Sequence, residues 1–170
     1  MLNSLLNEKR DAILEKWFDD ILESYPLDGA KFIKIEKDRF NNPVGSTISQ
    51  EIKTIYGELL KDMNYEILHD SLEKIIKIRS VQDFTPSQAL SFIFLLKKVL
   101  REELESEVAD TQILRELMVF EARIDQLASL AFNVYSECRE KIYDIRVNEI
   151  KKRSISFFRD TQNSPKAGAE

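Results

Sequence analysis

The first run of hydrophobic and polar positions along the chain predicts an amphipathic helix over about 4–23. Its apolar residues recur every three or four positions with charged residues between them, which is the spacing of one helical face. These residues are Leu5, Leu6, Ile13, Leu14, Trp17, Phe18, Ile21 and Leu22. Pro26 and Gly29 end the pattern, and a short helical piece is expected at about 31–39.

The stretch "DRFNNPVGSTISQE" predicts a joint between helices. Asn42 precedes Pro43 and is therefore disfavoured in the α region, while Gly45 permits a positive φ. Thr47 and Gln50 have the spacing of a capping box, so the next helix is predicted over about 48–63. A further helix is predicted over 65–80. Its apolar face comprises Ile67, Leu68, Leu72, Ile75, Ile76 and Ile78.

A second polar joint, "IRSVQDFTPSQALSFI", separates two apolar runs. Thr85, Pro86 and Gln88 match an N-cap, a first-turn proline and the third capping-box position, and they predict a helix over 86–104. That helix is apolar nearly all round, so we expect it to be the most buried. The polar residues left over are Arg79, Gln82 and Asp83. They are interpreted as a structural corner, with a partner-binding surface and a small-anion pocket as alternatives.

The last predicted helix, over 111–158, contains no Gly or Pro. Its apolar positions alternate spacings of four and three, which is the rhythm of a coiled coil. They are Ile113, Leu117, Phe120, Ile124, Leu127, Ala131, Val134 and Cys138. This set is called the 4-3 stripe below. It predicts either a dimer seam or packing on the chain's own helices, and beyond it we expect dimer contact or projection. Residues 1–158 are predicted to form one helical domain, with 159–170 a disordered tail.

Composition narrows the class of protein. The 170 residues are 43% hydrophobic and 32% charged, with only four Gly and four Pro, which favours an all-α fold. A net charge of -5 argues against nucleic acid as a partner. One cysteine suits a reducing cytoplasm, and no apolar run approaches the length of a membrane span. We therefore expect a cytoplasmic protein without membrane insertion.

Three segments together resemble a known family. "WFDDILESYP", "DRFNNPVG" and "IRSVQDFTPSQALSFIFLLK" are similar to the N-terminal domain of RsbR-type RsbT co-antagonists, the bacterial stressosome proteins. The resemblance implies a globin-like bundle of about five helices that binds no haem and dimerises through its terminal helices. In longer family members a helix joins this presumed sensor to a phosphorylated STAS domain. The sequence stops soon after the helix, so we expect a stand-alone sensory or docking domain.

Candidate sites are weighed on this basis. His69, the sole histidine, is interpreted as a surface or capping residue, with a small-ligand contact and a haem ligand as alternatives. No cofactor or metal is expected. Phe40, Tyr56, Phe84 and Phe92 are candidates for lining an apolar ligand pocket. Arg39, Asn42, Pro43 and Gly45 are assigned with Arg79, Gln82 and Asp83 to the corner or to a partner surface. Cys138 is interpreted as a core residue, with an interchain disulfide as the alternative.

The sequence therefore predicts a non-enzymatic regulatory domain that acts as a homodimer on an unidentified regulatory protein. The expected mechanism is a shift in the packing of the helices that is transmitted along the last helix. Two alternatives stay open. One is a small-molecule sensor with a pocket between helices, and the other is a docking or assembly subunit of an anaerobic redox complex. The sequence contains neither a Gly-rich phosphate loop nor a Ser-His-Asp set, either of which would indicate an enzyme.

Overall fold

The computed structural model describes residues 1–25, 42–82 and 84–163, with side chains as far as residue 156. The described residues form helices and no strands, which confirms the all-α prediction. The helices are α1 (Leu2–Glu8), α2 (Arg10–Glu23), α3 (Pro43–Leu59), α4 (Tyr65–Ser80), α5 (Pro86–Glu103) and α6 (Thr111–Asn163). The predicted helical piece at 31–39 lies outside the described residues. No helix in the described ranges is long and apolar enough to span a bilayer.

The bundle is built around α4 and α6. α2 packs on α3 and α5, α3 packs on α4, and α6 packs mainly on α4 and α5. α1 contacts α2 and the beginning of α6. Trp17 crosses the centre, fully buried, and its Nε1 donates to the main-chain oxygen of Phe92 at 2.6 Å. The result is a globin-like bundle with a long C-terminal helix.

Two predicted helices agree closely with the structure. α4 spans the predicted 65–80, with Leu68, Leu72, Ile75 and Ile76 buried. α5 begins at Pro86 as predicted, with Thr85 as its N-cap. The prediction that α5 is the most buried helix was too simple, because Phe94 is 51% exposed.

The predicted first helix is divided at Lys9. Lys9 has φ -88° and ψ 9°, and it ends α1 and precedes α2. Its Nζ forms an ion pair with Glu107 at 2.9 Å. This contact holds the break against the segment between α5 and α6.

The predicted start of α3 was wrong. Thr47 does not cap this helix, because Asn42 does: its Oδ1 accepts from the amide of Gly45 at 2.9 Å. Asn42 lies outside the α region, with φ -134° and ψ 67°, as its place before Pro43 predicted. Gly45 is helical and does not use a positive φ. An asparagine cap followed by proline in the first turn therefore begins the helix five residues earlier than predicted.

α6 is a single helix of 53 residues, about 80 Å long at 1.5 Å per residue. It continues to Asn163, beyond the predicted end at 158 and into the predicted tail. All eight side chains of the 4-3 stripe are at most 6% exposed within the single chain. From Arg139 to Ser156 every side chain is half-buried or exposed. The first half of α6 is therefore part of the bundle, and the second half projects from it.

Candidate functional site: a buried arginine corner and the exposed side of α6

The corner begins with the cap of α5. The amide of Thr85 donates to Gln88 Oε1 at 2.9 Å, and the amide of Gln88 donates to Thr85 Oγ1 at 3.4 Å. These reciprocal bonds form the predicted capping box, and Pro86 follows in the first turn. The cap fixes the start of α5 against the end of α4. The carbonyl of Gln88 then faces the arginine at that end.

Arg79 is fully buried in the last turn of α4. Its Nη2 donates to Ser24 Oγ at 3.1 Å and to the main-chain oxygen of Gln88 at 2.9 Å. Ser24 follows the last residue of α2. One guanidinium therefore joins the end of α2, the end of α4 and the start of α5.

Aromatic rings surround the guanidinium. Its central carbon lies 4.5 Å from the ring centre of Phe84, 5.1 Å from that of Tyr25 and 5.9 Å from that of Phe92. Tyr25 and Phe84 meet edge to face, with ring centres 5.4 Å apart. The ring faces attract the positive charge, but they accept no conventional hydrogen bond.

Several polar atoms in this corner have no hydrogen-bond partner among the described residues. They are Nε and Nη1 of Arg79 and Oε1 of Gln82. Burial lowers the pKa of Arg79 and raises the pKa of Tyr25, and the charge of Arg79 opposes the second shift. The corner therefore holds a buried positive charge whose Nε and Nη1 have no partner among the described residues.

Three more of the residues predicted for the corner lie at the start of another helix. Asn42, Pro43 and Gly45 form the start of α3, where Asn42 acts as a cap. Arg39 and Asp83 lie outside the described residues. Among the described residues that were predicted for the corner, Arg79 is the one with a buried charge.

The described members of the predicted apolar pocket are Tyr56, Phe84 and Phe92. Tyr56 is buried, and its hydroxyl donates to the main-chain oxygen of Leu6 at 2.9 Å; burial raises the pKa of this phenol. Phe92 is buried beside Trp17, and Phe84 covers Arg79. Phe40 lies outside the described residues. Tyr56 and Phe92 are therefore core residues, and the pocket stays a prediction.

A groove opens instead between α5 and α6. Its volume is about 880 Å³, and its apolar walls include Leu90, Phe94, Leu95 and Phe132. Phe94 and Phe132 are 51% and 59% exposed. Ion pairs between Arg101 and Glu121 and between Lys97 and Asp125 join the same two helices. This face exposes aromatic surface beside charged pairs.

A polar cluster lies where α6 leaves the bundle. His69 Nε2 is 3.5 Å from a carboxylate oxygen of Glu137. Glu73 accepts hydrogen bonds from Lys77 and Lys141, and these bonds lower its pKa. These contacts hold the departing turn of α6 against α4. In the part of the chain that the structure describes, no three His, Cys, Asp or Glu side chains are grouped to hold a metal ion.

Comparison with known families identifies a family model that matches most of the chain. The family model for the RsbT co-antagonist protein rsbRD N-terminal domain matches residues 11–150. The chain belongs to the RsbRD N-terminal domain family. The family is a regulatory domain of the stressosome type, and the resemblance found in the sequence is confirmed.

One curated relative of this RsbRD-type domain is an uncharacterized protein of Archaeoglobus fulgidus. It is 22% identical over 151 residues, covering 88% of this chain and 89% of the relative. No solved structure matches the chain.

The sequence analysis expected dimer contact or projection beyond Cys138, but it did not identify the exposed apolar residues there. Tyr143, Val147 and Ile150 are 52%, 46% and 64% exposed. They follow one another at spacings of four and three, and this signal was available in the sequence. The prediction of a dimer seam was based instead on the 4-3 stripe upstream, whose spacing is more regular.

Proposed function

We propose that this RsbRD-type domain is a non-enzymatic regulatory domain that works in the cytoplasm through protein–protein contacts. Family membership supports a sensory or regulatory role. The observation that carries the proposal is the second half of α6, which extends beyond the bundle with its apolar side chains exposed. A helix of this kind is an unfavourable end state for a single copy in water.

The proposed occupant of this surface is a second copy of the chain. Residues 139–163 add roughly 37 Å of helix at 1.5 Å per residue, and helices in proteins are stabilised mainly by packing of an apolar face rather than by propensity. Tyr143, Val147 and Ile150 fall within about 60° on the helix circumference, at about 100° per residue. Their spacing of four and three is that of a two-stranded coiled coil.

The groove between α5 and α6 extends the same surface. Phe132 lies on the side of α6 that carries Tyr143 and Ile150, because eleven and eighteen residues are close to whole numbers of turns. Phe94 of α5 stands beside Phe132 in the groove. The proposed dimer face therefore runs from this groove along the projecting half of α6.

The 4-3 stripe keeps a different role in this proposal. Its side chains are covered by the chain's own helices, so a seam built from them would require the bundle to open. The dimer contact is accordingly assigned to the exposed side of the same helix. A shift of α6 against α4 and α5 would then move two paired helices together. An unidentified regulatory protein is proposed to read that movement.

The experiment is light scattering on the purified full chain and on two variants. Ile150→Glu places a charge on the proposed face, and Asn148→Glu places the same charge at an exposed position on another side of α6. The wild type and Asn148→Glu are expected at twice the mass of the chain, and Ile150→Glu at the mass of one chain. Circular dichroism confirms that each variant is folded. A monomeric wild type, or equal masses for the two variants, would overturn the dimer face.

A further inference from the structure

We propose that the turn between α3 and α4 is a strained element that Arg123 of α6 holds in place. The turn comprises residues 60–64. Met63 has a φ of 54°, and it is the one residue other than glycine with a positive φ in the part of the chain that the structure describes. This left-handed conformation brings Cβ close to the following carbonyl oxygen, so it is rare for a bulky side chain. The inference rests on the proposed function, because it names a contact through which a shift of α6 would act.

Contacts on both sides along the chain impose the left-handed conformation on Met63. Its amide donates to the main-chain oxygen of Glu58 at 3.2 Å, which joins it to the last turn of α3. The next residue, Asn64, caps α4, since its Oδ1 accepts from the amides of Glu66 and Ile67 at 3.0 and 3.2 Å. The side chain of Met63 is half-buried against the hydrophobic core. A strained residue persists where its surroundings over-determine its conformation in this way.

Arg123 joins the same turn to α6. Its Nη1 donates to the main-chain oxygen of Leu59 at 3.0 Å and to that of Lys61 at 2.8 Å. Leu59 is the last residue of α3, and Lys61 lies two residues before Met63. The last carbonyls of a helix have no partner within that helix, so a side chain of α6 satisfies groups that α3 cannot. The position of α6 therefore acts directly on the backbone that leads into Met63.

The turn has space for a second conformation. A groove of about 720 Å³ separates it from α6, with Lys61, Asp62 and Met63 on one wall and Val119 and Gln126 on the other. Strained residues cluster at switch regions, where release of a restraint favours a different conformation. A shift of α6 that withdraws the guanidinium from the turn would therefore release the strain. The change would appear where α6 first meets the start of α4.

The first test compares two substitutions of Met63 by urea unfolding. Met63→Gly and Met63→Ala both remove the long side chain, but only glycine adopts a positive φ without strain. The folding equilibrium constant of Met63→Gly is expected to exceed that of Met63→Ala by about two- to tenfold. The control pair is Lys53→Gly and Lys53→Ala at an exposed position inside α3, where alanine should be favoured by about fivefold. Equal constants for the two Met63 variants, or the order of the control pair, would show that the turn is not strained.

The second test repeats the Met63 pair in chains that carry Arg123→Leu. Leucine keeps an apolar side chain on α6 but donates no hydrogen bond, so the turn should relax and the ratio of the two constants should fall below about twofold. Arg115→Leu, at an exposed arginine about two turns earlier on α6, should leave the ratio unchanged. A ratio that persists undiminished with Arg123→Leu would overturn the proposal, because the strain would then be independent of α6.

A spectroscopic measurement covers the case in which Arg123→Leu folds poorly. In protein with ¹³C-labelled methionine methyl groups, the signal of Met63 should move in the milder variant Arg123→Gln, whereas that of the exposed Met1 should not. An unmoved Met63 signal would also overturn the proposal. All unfolding variants carry Ile150→Glu as well, so that the comparison does not depend on the proposed dimer face. A wrong dimer face is reported by the mass of the wild type, and a wrong assignment of the turn by the Met63 pair.

Discussion

Leu127 distinguishes the two interpretations of the 4-3 stripe. It is fully buried in the middle of α6, within a single copy of the chain. Leu127→Ala removes side-chain volume from the core and leaves a cavity, so the free energy of unfolding is expected to fall by about 2–5 kcal/mol. Val119→Ala on the same helix is the control. Val119 is 65% exposed, and its loss should change stability by less than about 0.5 kcal/mol.

The assay is urea unfolding followed by circular dichroism, with light scattering on the same samples. If Leu127 belongs to the core of one chain, the fall in stability should appear while the native mass of Leu127→Ala stays that of the wild type. A seam residue would behave differently, because its truncation would reduce the native mass. A loss below about 1 kcal/mol, or a halved mass in a folded protein, would refute the assignment of the stripe to the core of one chain.

Two further predictions concern the capping box and the base of α6. Thr85→Ala removes the hydroxyl that accepts from Gln88 and should lower the free energy of unfolding by about 1 kcal/mol. Thr54→Ala, inside α3, should change it by less than about 0.5 kcal/mol, and similar urea midpoints for both variants would contradict the cap. Hydrogen bonds from Lys77 and Lys141 lower the pKa of Glu73 in the folded state. The ionised side chain therefore stabilises the fold at a pH above its unfolded pKa, and this stabilisation is lost as the pH falls through its folded pKa. The stability difference between wild type and Glu73→Gln, measured by urea unfolding, should therefore shrink below about pH 4, and a difference that grows on acidification would reverse the sign of this argument.

Local chemistry explains which helices could be predicted from sequence. At the start of α5 one set of residues, Thr85, Pro86 and Gln88, meets every requirement of a helix start, and no competing set lies nearby. At the start of α3, two competing starts lie five residues apart. Asn42 with Pro43 obeys the same rules as Thr47 with Gln50, and the sequence alone does not rank them. In the structure the helix begins at the earlier of the two, with Gly45 buried in its first turn.

The arginine corner shows a different limit. The density of polar residues in the joint before α5 directed attention to Arg79, and that part of the prediction came from sequence. The surroundings did not, because Tyr25, Phe84 and Phe92 come from three separate segments. A periodic pattern reports which face of a helix is apolar, but not which neighbour covers that face. For the same reason, the spacing of the 4-3 stripe showed that one side of α6 is apolar, but not that the chain's own helices cover that side.

The two apolar sides of α6 explain how one helix can serve both a core and a contact outside it. As far as Cys138, the covered side faces α4 and α5, and its residues cannot move without disturbing the bundle. After Cys138 that pattern stops, and Tyr143, Val147 and Ile150 continue on a side about 130° away at about 100° per residue. The helix has no break between the two regions. A rotation or shift imposed on the covered half must therefore reach the exposed half, where His69 and Glu73 hold its first turn against α4.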